Sequence, residues 1–351
     1  MHHSDIKPEV RKLIADGTVL PAHPLALDSS RKLDVRHQRA LSRYYIDAGA
    51  GGLAVGVHTT QFAIREAGLY RPVLELAAET ASAWTKRPFA LVAGLVGPTQ
   101  QATAEARAAR GIGYHAGLLS LAAMKSASED EIIAHCEAVA REIPLVGFYL
   151  QPAVGGVILS ADFWRRFAAI DNVIAIKVAP FNRYRTLDVL RGIAAAGALD
   201  RVALYTGNDD HILLDLMLPF DLRDRGVTTR AYFRGGLLGH WSVWTASAIK
   251  QFEMCRAARG QATLPADLLA LDARVTDCNS AFFDVANNFH GCIAGCHEIL
   301  RRQGLLKGIW CLDPDEGLSK GQMQEIDRVC HEHSDLSDDA FVAAGLEKWL
   351  A

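Results

Sequence analysis

Pro144-Leu-Val-Gly-Phe-Tyr-Leu-Gln-Pro152, the stretch Ala161–Ile170 and Val173-Ile-Ala-Ile-Lys177-Val178 follow one another as an apolar run, an amphipathic run and a second apolar run. Strands covered on both faces read as near-continuous apolar segments, so the first and third are expected to be buried strands joined by a helix. That succession is a parallel βαβ unit. Working outward, the same alternation runs from Val19 to about Gly239. The expected strands are Val19–Ala22, Gly52–Gly56, Phe89–Gly94, Ile112–Leu118, Leu145–Leu150, Val173–Val178, Arg201–Thr206 and Arg234–Leu238. Helical stretches such as His37–Ala48, Thr99–Arg110, Asp130–Arg141 and Thr186–Ala196 lie between them. Eight strand signals count to a (β/α)₈ TIM barrel, an α/β fold, rather than to an open doubly wound sheet. The eighth signal is the weakest, because Phe220–Tyr232 is charged and irregular where a strand is also conceivable. After Trp241 only helical patterns follow. The reading is a barrel core over residues 1–240, with residues 241–351 as C-terminal helices packed on it within the same domain.

The chain has 351 residues, half of them hydrophobic and 22% charged, enough for one large core. A net charge of −3 gives no reason to expect nucleic acid or an anionic membrane as partner. No apolar run approaches the roughly 20 residues of a membrane span, and Met1–Val10 mixes charge signs without an apolar signal core. Seven scattered cysteines suit reduced thiols in a cytoplasmic enzyme better than a disulfide framework.

Barrel enzymes carry their chemistry at the C-terminal ends of strands. Lys177 ends an apolar strand, where desolvation lowers an amine's pKa and favours the neutral nucleophile that imine formation needs. A lysine there can also snorkel out to water. Tyr149 ends the preceding strand, within reach of the same substrate, where a phenol can shuttle protons. It can equally be a core tyrosine with a satisfied hydroxyl.

The Tyr-x-x-Pro of Tyr149–Pro152, with Lys177 following 28 positions after the tyrosine (177 − 149), resembles dihydrodipicolinate synthase and N-acetylneuraminate lyase, a family of class I Schiff-base aldolase-type barrels. Gly51–Gly56 followed by Thr59-Thr60 resembles the strand and Gly-Thr-Thr-Gly-Glu loop of that family, and Tyr205-Thr-Gly207-Asn-Asp209 resembles its Gly-x-Asp turn. The resemblance implies Lys177 as the Schiff-base residue and Tyr149 as general acid/base. It implies Thr59 and Thr60 as carboxylate ligands, with His58 in their place if the loop is shifted by one residue. Gly207 and the region Gly235–Leu238, Leu238 included, would line the pocket through backbone. It implies no metal and no cofactor, and a homo-oligomer, tetramer or dimer.

Three departures mark a divergent member. Val154 stands where the synthase branch has an arginine that clamps a second substrate's carboxylate, which argues against a true dihydrodipicolinate synthase. Gly117-Leu-Leu-Ser120 replaces a Pro-Tyr-Tyr, removing a relay tyrosine; Tyr114 and His115 are not assumed to substitute. His23 and His240-Trp241-Ser-Val-Trp244 suggest either an aromatic acceptor surface or a seat for the C-terminal helices. His290, Cys292, Cys296 and His297 could hold a metal by spacing, but small residues at close helix packing account for them as well. Gly94-Leu-Val-Gly-Pro98 has neither a Walker lysine nor a dinucleotide fingerprint, so no nucleotide is expected. The reading is a Schiff-base lyase, aldolase or dehydratase, on pyruvate or a 2-oxo-3-deoxy acid. The competing reading is an altered barrel that binds a small organic acid without turnover.

Overall fold

A computed structural model describes residues 1–224 and 226–351. Eight strands form one parallel sheet: β1 (Val19–Pro21), β2 (Gly52–Val55), β3 (Ala90–Leu95), β4 (Ala116–Leu119), β5 (Leu145–Leu150), β6 (Val173–Ala179), β7 (Ala203–Thr206) and β10 (Gly235–Leu238). Their order runs β2 through β7, then β10, then β1. The ring closes where Ala22 bridges Ala54 and the His23 amide donates to the Ala54 carbonyl at 2.8 Å. Helices α2 (Val35–Ala48), α3 (Tyr70–Trp84), α4 (Thr99–Ile112), α5 (Glu129–Ala140), α6 (Ala161–Ala169), α7 (Arg183–Ala195) and α8 (Ile212–Met217) connect successive strands. The fold is the (β/α)₈ barrel that the alternation predicts.

Local chemistry sets several helix ends. Ser128 and Glu131 form a capping box at the start of α5. Ser160 and Asn182 cap α6 and α7 by accepting amide hydrogens in the first turn. Gly113, at φ +108°, ends α4 in a left-handed turn that a β-carbon would disfavour. Because α4 runs on to Ile112, β4 starts at Ala116, four residues later than expected. The irregular segment before the last strand is an antiparallel hairpin, β8 (Phe220–Asp224) with β9 (Val227–Ala231), lying outside the barrel sheet. Residue 225 lies outside the described residues.

The core has two parts. Inside the barrel pack Leu20, Val92, Leu118, Phe148, Tyr205 and Leu237, with many alanines between. Helix α1 (Pro8–Asp16) inserts Val10 and Ile14 into this core from the end where the strands begin, and the Tyr205 hydroxyl donates to the Ile14 carbonyl at 2.8 Å. That plug fills the end where the strands begin. Between sheet and helices lies the larger layer of Leu, Ile, Val and aromatic side chains. The C-terminal helices α9 (Thr245–Ala258), α10 (Ala266–Phe282), α11 (Cys292–Arg302), α12 (Gln322–Glu332) and α13 (Asp339–Leu350) pack on this framework. Trp241 packs on Phe252 and Trp244 edge-on against Phe282, both rings buried, so these tryptophans seat the C-terminal helices. Within α13 and just before it, Asp338 accepts from Tyr44 at 2.7 Å and Trp349 packs on the same ring.

A buried ion pair ties together the C-terminal ends of β2 and β3. Arg65 donates to both Glu105 oxygens at 2.9 and 3.0 Å and to the carbonyls of Gly56 and Gly94 at 3.2 and 3.0 Å. Each side chain is only 9% exposed. Arg65→Met leaves the Glu105 carboxylate buried without its partner and is expected to cost about 3–5 kcal/mol. Adding Glu105→Leu should recover part of that loss, which urea unfolding of the two variants would measure.

Candidate active site

The site begins with an irregularity in β6. Leu145 pairs with Val173, but the next residue of β5, Val146, pairs with Ala175. One extra residue, Ile174, is thus accommodated as a β-bulge. Val173 faces the helical layer, whereas Ile174 and Ala175 both belong to the barrel interior. Side chains alternate thereafter: Ile176 and Val178 point out, and Lys177 and Ala179 point in. Without the bulge the alternation counted from Val173 would turn Lys177 outward.

Lys177 projects into a chamber at the C-terminal mouth of the barrel. Its Nζ lies 4.5 Å from the centroid of the Phe148 ring, the residue paired with it across the sheet. Gly207, at the end of β7, makes room for the lysine stem, since a β-carbon there would come within 2.5 Å of Lys177 Cε. Burial lowers the Lys177 pKa, opposed by the negative charge of Asp209 and the Cys292 sulfur. Burial raises the Asp209 carboxyl, and the Lys177 charge and the His240 amide at 3.4 Å oppose that rise. Lys177 and Asp209 feel each other without closing an ion pair within 4.0 Å. Burial thus moves the proton affinities of the amine and the carboxyl toward each other.

The turn after β2 borders the chamber through Val57, His58 and Thr59. Burial, and then the Lys177 charge, push the His58 imidazole down to about 4, so it is neutral near pH 7. The pKa near neutrality that would suit an unperturbed histidine to relaying a proton is therefore lost here. Thr59 lines the chamber, but its hydroxyl already donates to the Ala22 carbonyl at 2.7 Å. Thr60 does not line it: its hydroxyl accepts from the Gly56 amide and donates to the His23 carbonyl at 2.6 Å. The two threonines bind the turn to the end of β1, which leaves their hydroxyls little capacity for a ligand's carboxylate.

Lys177, His58, Thr59 and Gly207 are thus brought together, and three other expected residues are not. Tyr149 lies opposite Val178, and its ring faces the helices 5.1 Å from Trp164. Its hydroxyl sits 3.4 Å from the Leu159 backbone. The bulge explains this: it puts Phe148, not Tyr149, beside Lys177, so the interval across the sheet is 29 (177 − 148), not 28. Thr60 is turned away by the hydrogen bonds just described. Leu238 also packs outward in the helical layer, and the adjacent Gly239 borders the chamber instead. Of the two histidines weighed at the mouth, His23 is buried and bonded to Ser42 at 2.8 Å, while His240 is buried against Phe282.

Asp209, at the end of the Gly207-Asn-Asp209 turn, also lines the chamber, although the sequence motif alone does not single it out. Nor does the sequence signal the share of the C-terminal helices: Phe283, Phe289 and Cys292 complete the chamber wall. Among the described residues, His290, Cys292, Cys296 and His297 do not gather three donor atoms within 4.8 Å of one another. Val154, where the synthase resemblance places an arginine, lines the chamber, and no arginine does so among the described residues.

Comparison with known proteins fits this picture. N-acetylneuraminate lyase from Citrobacter koseri is 29% identical over 208 residues, which span 58% of this chain and 66% of that protein. Two solved structures superpose over nearly their whole length. One is CdNal from Clostridium difficile in complex with mannosamine (TM-score 0.73, 15% identity, covering 90% of this chain and 98% of the other). The other is the dihydrodipicolinate synthase from Acinetobacter baumannii complexed with pyruvate (TM-score 0.73, 17% identity, covering 91% and 99%). At that identity they show the shared barrel. No helix among the described residues is long and apolar enough to cross a membrane. Residues 17–221, the barrel from just before β1 into the hairpin, match the dihydrodipicolinate synthetase family, and the chain belongs to that family.

Proposed function

We propose that the protein is a Schiff-base-forming lyase, an aldolase or dehydratase, in which Lys177 captures pyruvate or a related 2-oxo acid. One observation carries the proposal: the one lysine among the described lining residues, turned into the barrel by a bulge and given space by Gly207, is buried with a lowered pKa in a chamber at the barrel mouth. A neutral amine is the nucleophile such chemistry needs, and burial supplies it near neutral pH.

Lys177 Nζ attacks the ketone carbon, the carbinolamine loses water, and the protonated imine draws electrons from the neighbouring carbon. Asp209 is the group we assign to proton transfer, because Tyr149 faces away and His58, held neutral, is too weak a base to take up a proton near pH 7. A buried carboxyl with a raised pKa can donate to the departing hydroxyl and then take the proton whose loss makes the enamine. His58 is assigned to the oxo acid's carboxylate as a neutral N–H donor. Dihydrodipicolinate synthase activity is not part of the proposal, since Val154 offers no cation to a second carboxylate.

Borohydride with pyruvate, followed by intact mass and peptide mapping, tests this reading. The wild-type protein should gain one reduced adduct on Lys177, and Lys177→Ala should gain none while keeping its circular dichroism. If a panel of larger 2-oxo acids also leaves Lys177 unmodified, the lyase reading fails and a binding-only barrel replaces it. The pH dependence gives a second outcome. Asp209 favours the ammonium form, so Asp209→Asn should move the midpoint of trapping to lower pH while slowing turnover about 10²- to 10⁴-fold. An unchanged midpoint would remove Asp209 from the site.

A further inference from the structure

Most of the chamber's lining side chains are apolar. The groups that can bond to an oxo acid, His58 and Asp209, sit close enough to Lys177 to feel its charge. The remaining wall is supplied largely by carbon: Phe148, Leu118, Leu150, Val154, and an aromatic pair, Phe181 and Phe289. Gln151 contributes the one amide side chain among the described lining residues.

The aromatic pair is built at a conformational cost. Phe181, on the loop after β6, has φ +46°, and Phe289, on the loop entering α11, has φ +66°. Their rings meet edge to face with centroids 5.9 Å apart. A bulky residue in the left-handed region is an outlier, and such outliers persist where surrounding structure holds them, often at ligand sites. Here two of them, from loops more than a hundred residues apart in sequence (289 − 181 = 108), aim their rings at one chamber. Asp284 and Asn288, in the loop that carries Phe289, are left-handed as well.

We propose that the second reactant at this site is an aromatic or branched aliphatic aldehyde, and that the product is the corresponding 4-hydroxy-2-oxo acid. The inference rests on the imine reading of Lys177. Polyhydroxylated aldehydes need several side-chain donors and acceptors, and a carboxylate-bearing aldehyde needs a cation; apart from Lys177, His58, Asp209 and a Thr59 hydroxyl already bonded to Ala22, the described lining offers one amide, Gln151, and no second cation, whereas apolar carbon and aromatic faces suit an aryl or alkyl group. The reaction balances simply. Pyruvate's carbonyl oxygen leaves as water when the imine forms, and loss of a methyl proton gives the enamine. The enamine carbon bonds to the aldehyde carbon, the aldehyde oxygen takes up a proton, and water hydrolyses the imine to free Lys177. Cleavage is the reverse.

Full-length protein supplied with pyruvate and either benzaldehyde, isovaleraldehyde, glyceraldehyde or succinic semialdehyde tests this by chromatography and mass spectrometry of the products. Benzaldehyde and isovaleraldehyde should react with kcat/KM about 10- to 100-fold above the other two. Phe181→Ala and Phe289→Ala should each reduce the ratio of benzaldehyde to glyceraldehyde turnover about 10-fold. Trapping of pyruvate on Lys177 together with preference for glyceraldehyde or succinic semialdehyde overturns the inference and leaves the imine standing. Trapping with no condensation of either apolar aldehyde overturns it too. Failure to trap any 2-oxo acid brings down the imine reading, and this inference with it.

Discussion

A single extra residue in β6 sets the chemistry of this barrel. In a closed sheet each strand residue faces either the axis or the helices, and a shift of one residue exchanges the two faces. The bulge at Ile174 makes that exchange partway along the strand. Before it, Val173 packs outward; after it, Lys177 points inward beside Phe148. The same shift leaves Tyr149 among Trp164 and the helices of the outer layer. The position of the amine, the identity of its aromatic neighbour and the exclusion of the tyrosine are one geometric consequence. Gly207 completes it by leaving the space that the lysine stem occupies.

The electrostatics follow from where that lysine ends. The amine loses hydration in an enclosed chamber, so its charged form is disfavoured, and nearby Asp209 partly restores it. The same burial raises the carboxyl, and the two groups share a proton on closer terms than an exposed lysine and aspartate would. His58, which borders the same chamber, is held neutral by burial and by the Lys177 charge. The rest of the mouth is closed by apolar groups, several from residues beyond the barrel strands. The C-terminal helices are therefore part of the chamber as well as a cover for the outer layer.

Much of the fold could be read from the chain because it rests on long signals. Apolar runs such as Leu145–Leu150 and Val173–Val178 mark buried parallel strands wherever their exact ends fall, and six others of that kind count a barrel with small errors at boundaries such as Ile112. The bulge has no comparable signal. Val173-Ile-Ala-Ile is apolar at every position, so nothing in it distinguishes the face of Ala175 from that of Ile176, and a motif interval of 28 looks compatible with pairing. The loop threonines were similarly ambiguous: a hydroxyl that holds a ligand and one that holds the next strand's backbone are the same residue type. Helix α1 carries enough charge to hide that Val10 and Ile14 share one face, and Phe289 belongs to a loop whose path depends on how α10 and α11 pack. Asp209 was within reach, since it ends a turn at the C-terminal end of β7, where barrel catalysis concentrates.

The central claim is that Lys177 forms an imine in a chamber lined largely by apolar side chains. A crystal structure of the protein soaked with pyruvate and then reduced with borohydride tests it most directly. The account predicts continuous density from Lys177 Nζ into the oxo acid, its carboxylate toward His58 and its methyl carbon facing the aromatic wall, with Tyr149 still packed on Trp164. Pyruvate bound without a covalent link, or attached at any other lysine, would contradict it.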